Sequence, residues 1–297
     1  MQADLRSYDD IVSVPVATAL SLRCFNRFAH YITGELGIKM PESKMTMMQS
    51  RLLRRSRELR LDSVDEYGKY FFASPNGEER EYLINAITTN KTDFFREPEH
   101  FEYLVRTALP SLRAGVDPRM SRLNVWSAAC SSGEEPYTLA MILSEYALKN
   151  AGLNFAILGT DISTKVLEEG RRAVYEEAQT APVPAPLSRK YLLRSKDRSS
   201  GLVRVTPALR EKVSFHQLNF MEDNYRVQDN FDIIFCRNVL IYFDRKTQES
   251  VICKICRNLN PGGYLFVGHS ESLSGMDVPV HPVTTAVYRM PLPGRTH

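Results

Sequence analysis

The second half of the chain alternates between two kinds of segment, and this alternation limits the folds open to it. From residue 123 onward, short runs rich in apolar and β-branched residues alternate with longer helical patterns. Such alternation requires right-handed crossovers and gives a mainly parallel sheet covered by helices on both faces. The predicted strands are 123–129, 155–160, 213–218, 231–236, 264–268 and 284–290, and the predicted helices are 135–149, 164–172 and 245–259. No long helix separates the last two strands, so we expect an antiparallel end to the sheet.

The residues before this sheet have an all-helical pattern. Apolar residues recur at helical spacing in 16–36 and in the helix 44–60, and the stretch 63–66 (Ser-Val-Asp-Glu) matches a capping box. We therefore expect a helical N-terminal domain and linker at 1–88, followed by an α/β, Rossmann-like domain at 89–297.

One segment interrupts the alternation. The stretch 182–186 contains three prolines and stiffens the chain. After it, 191–194 and 202–205 have the pattern of two short strands joined by the polar loop 195–201. We predict a small antiparallel β insertion at about 189–212.

The composition indicates a globular protein. Of the 297 residues, 43% are hydrophobic and 25% are charged, and no apolar run approaches the roughly 18 residues of a membrane helix. The N-terminus lacks the apolar core of a signal peptide, and the five cysteines have no framework spacing. We expect a cytoplasmic location and no membrane insertion. Cys253 and Cys256 form a CxxC inside a predicted helix without a second pair, so we predict no metal site.

The loop after the first strand has the features of a ligand site. Cys130-Ser-Ser-Gly133 joins the strand to a helix that opens with Glu134 and Glu135. Small residues allow a ligand close to the backbone, and the carboxyl end of a strand is where such ligands bind. Two glutamates at a helix N-terminus repel the phosphate that this position otherwise attracts. The chain also lacks a G-x-G-x-x-G and a Gly-Lys-Ser/Thr here. A phosphate-free adenosine ligand with a cationic sulfonium fits, which predicts S-adenosylmethionine.

Polar residues after other strands complete a rim around this loop. Asp161 ends the second strand, where it can accept hydrogen bonds from ribose hydroxyls or, alternatively, cap the next helix. Asn219 follows a later strand and can pair with an adenine edge, and Asn238 follows the next one. Each asparagine by itself is also typical of a turn. Arg96 lies in the segment 88–97 that precedes the sheet, called the linker below, and can clamp a carboxylate of the cofactor or of a substrate.

Four stretches of this sequence resemble the CheR family, the bacterial chemotaxis receptor methyltransferases. The resemblance covers nearly the whole chain. Its motifs are Thr88-Thr-Asn-Lys-Thr-Asp-Phe-Phe-Arg-Glu97, Trp126-Ser-Ala-Ala-Cys-Ser-Ser-Gly-Glu-Glu-Pro-Tyr137, Phe235-Cys-Arg-Asn-Val-Leu-Ile-Tyr-Phe-Asp244 and Gly268-His-Ser-Glu271.

The resemblance implies an S-adenosylmethionine-dependent protein-glutamate O-methyltransferase. Such an enzyme forms γ-methyl esters on the cytoplasmic helices of methyl-accepting chemotaxis proteins and releases S-adenosylhomocysteine. It also implies a monomer that is recruited to receptor arrays at the membrane. Arg96 and Tyr242 match positions linked to catalysis. By motif position, the cofactor residues are Asn90, Thr92, Arg96, Glu135, Asp161, Asn219, Phe220, Asn238 and Val239. Phe220 stands where the family often has leucine.

The β insertion suggests a second receptor contact. In some members of the family it docks a short peptide at the C-terminus of the receptor. The loop 195–201 lies in the variable part of that insertion, so the resemblance leaves peptide docking open for this chain.

The helix 44–60 carries a concentrated positive charge. It holds six basic residues and one acid, a net +5, whereas the whole chain has a net charge of only +3. A solvated arginine face, nucleic-acid binding and steering toward an acidic protein are all consistent with this pattern. Base-stacking aromatics are absent from the helix, which argues against nucleic acid. Given the resemblance, we favour docking of the receptor, with Arg51, Arg54 and Arg55 as the contact residues.

Two other functions fit the sequence less well. An enzyme that methylates amino groups of nucleic acids typically carries Asn/Asp-Pro-Pro-Tyr/Phe after this strand, whereas 238–242 reads Asn-Val-Leu-Ile-Tyr. A non-catalytic sensor of the cofactor is disfavoured by the intact Arg96 and Tyr242.

Overall fold

The computed structural model describes residues 19–74, 77–114, 122–150, 153–227 and 230–293. These residues form two compact units, one of 19–32 with 40–87 and one of 33–39 with 88–293. Within the described ranges, no helix combines the length and the hydrophobicity that crossing a membrane requires.

The first unit is all-helical, which confirms the predicted fold of this region. Its helices are α1 (Leu22–Leu36, whose last turn belongs to the second unit), α2 (Met45–Glu58), α3 (Val64–Ala73) and α4 (Gly77–Ile87). Buried side chains from each helix form its core, among them Phe28, Leu52, Phe71 and Leu83. Ser63 caps α3 by accepting a hydrogen bond from the Glu66 amide, as the capping-box pattern predicts.

The described part of the second unit contains ten strands and seven further α-helices. The strands are β1 (Arg122–Ala128), β2 (Asn154–Asp161), β3 (Val174–Glu176), β4 (Leu192–Arg194), β5 (Leu202–Val205), β6 (Val213–Gln217), β7 (Phe231–Cys236), β8 (Leu259–Val267), β9 (His281–Thr284) and β10 (Val287–Arg289). The helices are α5 (Pro98–Tyr103), α6 (Leu109–Arg113), α7 (Glu134–Lys149), α8 (Thr164–Arg172), α9 (Ala185–Tyr191), α10 (Pro207–Arg210) and α11 (Arg245–Cys256).

Seven strands form the main sheet, in the order β6-β2-β1-β7-β8-β10-β9. The first five are parallel to one another, and β10 runs antiparallel to both β8 and β9. This confirms the predicted parallel sheet with an antiparallel end. Because the chain leaves β1 toward β2 on one side and returns to β7 on the other, the order reverses beside β1, where ligands of such sheets bind.

The central strands are buried on both faces. Val125 and Ile233 belong to one hydrophobic cluster, whereas Trp126 and Ile234 belong to the cluster on the opposite face. Alternate residues of a strand point to opposite faces, so the continuous apolar runs of β1 and β7 fill both layers. The Trp126 indole donates to Thr160 Oγ1 at 2.9 Å, which links β1 to β2 within the core.

The structure differs from the predicted elements in the following three places. The single strand expected at 284–290 is wrong, because Ala286 adopts a left-handed conformation (φ 58°) and splits the segment between β9 and β10. The small antiparallel sheet is confirmed, but it has the order β3-β5-β4 and includes β3, which was not predicted. The segment that precedes the sheet also contains an unpredicted helical stretch, in which residues 104–108 form a π-helical turn between α5 and α6.

Candidate functional site

The parallel strands bring their carboxyl ends to one edge of the sheet. Ala128 of β1 is in register with Thr160 of β2 and with Cys236 of β7, and Cys236 is in register with Val267 of β8. The loops that follow these strands therefore share this edge. β6 runs parallel to β2 and ends at the same edge. Six of the predicted cofactor residues lie there: Asp161 ends β2, Glu135 is in the first turn of α7, Asn219 and Phe220 follow β6, and Asn238 and Val239 follow β7.

The loop after β1 is held tightly against β2. The Cys130 amide donates to the Thr160 carbonyl at 2.9 Å, and the Ser131 amide donates to Asp161 Oδ2 at 3.0 Å. Gly133 has φ +97°, and a Cβ there would lie 3.0 Å from Tyr175 Oη. The loop thus needs glycine at this position, for conformation and for space.

Asp161 is a buried carboxylate with an oriented head group. It is 8% exposed, and its Oδ1 accepts from the Ser163 amide at 3.0 Å. Burial raises the pKa of Asp161, and the hydrogen bonds from backbone amides oppose that rise. The helix-cap alternative does not hold, because Ser163 caps α8 by accepting from the Val166 amide. A role in binding ribose stays a prediction.

The two glutamates at the start of α7 have different surroundings. Glu134 is 2% exposed and accepts from Ser132 Oγ at 2.8 Å, and burial raises its pKa. Glu135 accepts from Ser127 Oγ at 2.7 Å and from the Arg237 guanidinium at 2.9 Å. Only Glu135 is therefore tied to the loop after β7.

Arg237 is a residue whose role the sequence did not reveal. Its side chain is 2% exposed. Besides Glu135, its guanidinium donates to Glu97 Oε2 at 2.9 Å and to the Arg96 carbonyl at 2.5 Å. Its position directly after a buried strand was the available signal, because a buried arginine there requires acidic partners.

Glu97 closes the linker onto the loop after β7. Its Oε1 accepts from the Asn238 side-chain amide at 3.0 Å. Burial raises the pKa of Glu97, but the hydrogen bonds from Asn238 and Arg237 lower it. Together the lowering contributions are larger, so the net pKa is about 2. Glu97 is thus ionised at neutral pH and, with its side chain 16% exposed, forms a partly buried ion pair with the buried Arg237.

Glu271 fixes the backbone that carries Asn238 and Val239. Its carboxylate accepts from the amides of Asn238 and Leu240, each at 2.8 Å, and from the Gly268 amide at 2.6 Å. Burial raises the pKa of Glu271. A Cβ at Gly268 would lie 2.6 Å from Asn238 Nδ2, so glycine is required beside this loop.

The predicted linker residues are partly buried. The carbonyl of Asn90 accepts from Ser131 Oγ at 2.9 Å, which joins the linker to the loop after β1. Arg96 donates to the Lys91 carbonyl at 3.1 Å, a contact within its own segment. Thr92 is half-buried. The predicted carboxylate clamp of Arg96 stays a prediction.

Asn219, the asparagine after β6, makes a turn contact, which is the alternative to pairing with adenine. Asn219 Oδ1 accepts from the Met221 amide at 3.0 Å, and its Nδ2 donates to the Glu35 carbonyl at 2.8 Å. One of its two N–H donors is thereby committed, so adenine pairing depends on the second. Phe220 is 8% exposed and packs against Tyr225.

The other predicted catalytic residue, Tyr242, lies beyond the loop that Glu271 fixes. It ends the 3-10 helix Leu240–Tyr242 and is half-buried. The Tyr242 carbonyl accepts from the Lys39 amide at 2.9 Å.

A cavity of about 650 Å³ opens beside the ends of β2 and β6. Thr160, Gln217 and Leu218 line it, together with residues of the segment 222–227. None of the predicted site residues lines this cavity, so it adjoins the predicted site without including it.

The three arginines predicted to dock a receptor are not equivalent. Arg51 donates to the carbonyls of Ala86 and Ile87, at 3.0 and 2.8 Å. Arg55 pairs with Glu79, and its side chain is only 20% exposed. Arg54 is 81% exposed and pairs with the exposed Glu58 of the same helix at 3.0 Å. Of these three arginines, two therefore stabilise the helical unit through contacts with α4, and Arg54 is the one whose guanidinium lies at the surface.

The carboxylates at the sheet edge fit a cationic ligand with hydroxyl groups. Glu97 and Glu135 share one guanidinium, and Asp161 adds a further carboxyl group. A phosphate would face these carboxylates, whereas ribose hydroxyls and a positive charge would be stabilised by them.

Comparisons with known proteins agree with this chemistry. Residues 90–288 match the family described as CheR methyltransferase, SAM binding domain, and residues 24–88 match CheR methyltransferase, all-alpha domain. A chemotaxis protein methyltransferase of Salmonella typhimurium is 39% identical over 87% of this chain and 86% of its own length. Chemotaxis protein methyltransferase 2 of Pseudomonas aeruginosa is 40% identical over 85% and 87%, and an Escherichia coli chemotaxis protein methyltransferase is 37% identical over 87% of each chain.

The two family matches together span most of the chain and cover the sheet edge described above. S-adenosylmethionine is the cofactor that this family binds. The chain therefore belongs to the CheR methyltransferase family, with S-adenosylmethionine as its cofactor.

Proposed function

We propose that this protein is a protein-glutamate O-methyltransferase that forms γ-methyl esters on methyl-accepting chemotaxis receptors and releases S-adenosylhomocysteine. The observation that carries the proposal is the cluster of carboxylates at the sheet edge, which lies within the residues that match the SAM binding domain of the family. Relatives that are named chemotaxis protein methyltransferases support the receptor as the substrate.

The cofactor contacts follow the elements that carry them. Asp161 holds the ribose from the end of β2, and Glu135 holds the cofactor from the start of α7. Asn219 and Phe220 border the adenine. The remaining cofactor residues, from the linker and from the loop after β7, are Asn90, Thr92, Arg96, Asn238 and Val239. The hydrogen bond from Ser131 to the Asn90 carbonyl supports this grouping, since it joins two of these segments.

The chemistry asks little of the protein beyond positioning. When bound, S-adenosylmethionine supplies an electrophilic methyl group on a positively charged sulfur. A glutamate side chain has a reference pKa near 4.3, so it is already a carboxylate at neutral pH and needs no general base. Arg96 orients a carboxylate, and Tyr242 shapes the transfer slot or donates to the substrate oxygen. The rate then depends on alignment and on the electrostatics of the site.

Receptor binding is assigned to two surfaces. Arg54 on α2, with the neighbouring exposed Arg57 and Arg60, forms a positive patch that attracts an acidic receptor helix. The small sheet exposes Val174, Leu193 and Leu202, and this apolar face is the candidate site for a receptor C-terminal peptide. We propose that the enzyme acts as a monomer on the cytoplasmic side, at receptor arrays.

A single assay tests the function. Radiolabelled S-adenosylmethionine is incubated with the enzyme and receptor cytoplasmic fragments, and the products are treated with base. Methyl esters release volatile methanol under base, whereas N-methyl groups do not. We expect base-labile label on the receptor and a large loss with Arg96→Ala or Tyr242→Phe. Label that survives base, or that appears on added nucleic acid, would contradict the proposal.

A further inference from the structure

A single buried guanidinium joins three parts of the candidate site. The side chain of Arg237, directly after β7, donates to Glu135 at the start of α7 and to Glu97 at the end of the linker. It also donates to the backbone carbonyl of Arg96 at 2.5 Å. These acceptors lie more than 100 residues away from Arg237 in the sequence, so the contact closes the fold across long loops.

Glu97 extends this connection to the end of β8. Its carboxylate accepts from the Asn238 side chain, after β7, at 3.0 Å and from the His269 amide, after β8, at 3.3 Å. Glu97 has φ 55° and ψ 67°, a left-handed conformation that a residue with a Cβ adopts at a cost. Its hydrogen bonds from Arg237, Asn238 and His269 hold the residue there, and we call the Glu97–Arg237 ion pair with these contacts the clasp.

Left-handed backbone is concentrated around the clasp. Phe95, Glu97 and Asn238 have φ values of 55°, 55° and 58°, and Ala129 and Ser131 in the loop after β1 have 60° and 51°. Such conformations persist only where the surroundings hold them, and they cluster at binding sites. They occur in three segments, and the clasp directly joins two of these, the end of the linker and the start of the loop after β7.

The linker is tied to the sheet at its other positions by single hydrogen bonds. The Asn90 carbonyl accepts from Ser131 Oγ at 2.9 Å, and the Phe95 amide donates to Thr138 Oγ1 at 3.1 Å. Both are neutral bonds, which contribute about 0.5–1.5 kcal/mol each, whereas a buried charged pair that loses one partner costs several times more. The clasp is thus the strongest polar attachment described for the segment that bears Asn90, Thr92 and Arg96, beside the apolar anchor of the buried Phe94.

We infer that Arg237 and Glu97 are positioning residues for S-adenosylmethionine: through the clasp they lock the linker, the start of α7 and the loop after β7 into one binding surface. Neither residue needs to contact the cofactor for this effect. The inference rests on the proposed assignment of Glu135, Asn238 and the linker residues to the cofactor.

The geometry explains why the clasp uses arginine. A guanidinium presents donors in a planar fork, and here Nη1 serves Glu135 while Nη2 serves Glu97 and the Arg96 carbonyl. Lysine would keep the charge as a compact point but could not span the same acceptors. The ring of Phe101 lies 5.5 Å from the guanidinium carbon, which gives the flat cation an aromatic wall.

The test measures cofactor affinity directly by titration calorimetry of the full-length protein with S-adenosylmethionine. Because a small misplacement of binding groups costs up to ~100-fold, we expect Arg237→Gln to weaken binding at least ~10-fold. Arg237→Lys should recover only part of the loss. The matched control is Arg289→Gln, since Arg289 also packs on an aromatic ring and donates to the Gly262 carbonyl and to Ser111, but it ends β10, away from the loops of the candidate site. It should bind within ~2-fold of wild type.

Two readouts separate positioning from general loss of structure. In Arg237→Gln, amide hydrogen exchange should accelerate in 88–97 while the central strands keep their protection. Glu97→Gln removes one charge at nearly constant volume, so it decides the outcome if Arg237→Gln does not fold. The double variant should be weakened by less than the product of the two single effects, because both remove the same pair.

The inference is overturned if a folded Arg237→Gln or Glu97→Gln binds S-adenosylmethionine as tightly as Arg289→Gln does. It is also overturned if the double variant shows fully multiplicative losses. Calorimetry needs no receptor, so the two claims can fail separately. Normal cofactor effects with no receptor methylation would sink the proposed function and leave the clasp intact.

Discussion

Two arginine-containing regions of this protein use the same side chain in opposite ways. The helix α2 bears several arginines, and its charge stands out in the sequence, yet Arg51 and Arg55 are committed to contacts with α4 and nearby residues. Arg237 has no basic neighbour within five positions of the sequence, and it joins three segments of the candidate site. The number of arginines in a segment of sequence therefore indicates a positively charged region. Only the burial and the hydrogen-bond partners of each arginine show which one holds a site together.

The largest expected effect lies at the sheet edge. Asp161→Ala removes the carboxylate that the amides of Ser131 and Ser163 orient, and with it the proposed ribose contact. We expect S-adenosylmethionine affinity to fall by ~100-fold or more, since a charge-assisted hydrogen-bonding group is lost. Titration calorimetry checks this, and unchanged affinity in a folded variant would refute the ribose assignment.

The next effect tests whether Arg55 of α2 stabilises the helical unit. Arg55→Ala leaves Glu79, which is only 9% exposed and also accepts from the Tyr67 hydroxyl, without its cation. Removing one partner of such a pair should destabilise the helical unit by about 2–4 kcal/mol. Arg54→Ala, on the exposed neighbour, should cost at most about 1 kcal/mol. Thermal and urea unfolding of both variants give the comparison, and equal losses would contradict it.

The clasp predicts a pH dependence with a defined sign. The pKa of Glu97 is about 2 in the folded protein, against an ordinary value of 4.5 in the unfolded chain. The hydrogen bonds from Asn238 and Arg237 and the charge of Arg237 therefore contribute their full stability above about pH 4.5, and this contribution is lost as the pH falls toward about 2. The shift corresponds to a contribution of about 3 kcal/mol. The difference in unfolding free energy between wild type and Glu97→Gln should shrink across this window, and a constant difference would argue against the ion pair.

The smallest effect concerns receptor docking. Reversing the exposed Arg54, Arg57 and Arg60 to Glu should raise the KM for receptor fragments several-fold at low salt, and less at high salt, because exposed charges are screened. Cofactor affinity should stay within ~2-fold of wild type. Methylation rates at several salt concentrations test this, and an unchanged KM at low salt would remove the steering role.

The sequence predicted the parts of the fold that depend on periodic patterns. The alternation of strands and helices determines a parallel sheet, and the carboxyl ends of its strands necessarily meet, so the rim that includes Glu135, Asp161 and Asn238 followed from spacing alone. The spacing did not determine which residue caps α8, because Asp161 and Ser163 both precede this helix. Only the structure shows that Ser163 accepts from the Val166 amide.

What the sequence did not predict depends on partners remote in the chain. Arg237 meets Glu97 across 140 residues, and Glu271 fixes the Asn238 amide across 33, so no local pattern signals either contact. The strand β3 has only three residues and is stabilised by its pairing with β5. The inequivalence of Arg51, Arg54 and Arg55 likewise arises from contacts with α4 and Glu58, which the helical spacing of α2 does not contain.

The most direct test of the proposed activity is mass spectrometry of a receptor cytoplasmic fragment after incubation with this protein and S-adenosylmethionine. The proposal predicts methyl groups on glutamate side chains that disappear after mild base, and no such groups when Arg96→Ala replaces the wild type. Methyl groups that resist base, or a receptor that stays unmodified while the protein binds its cofactor normally, would contradict it.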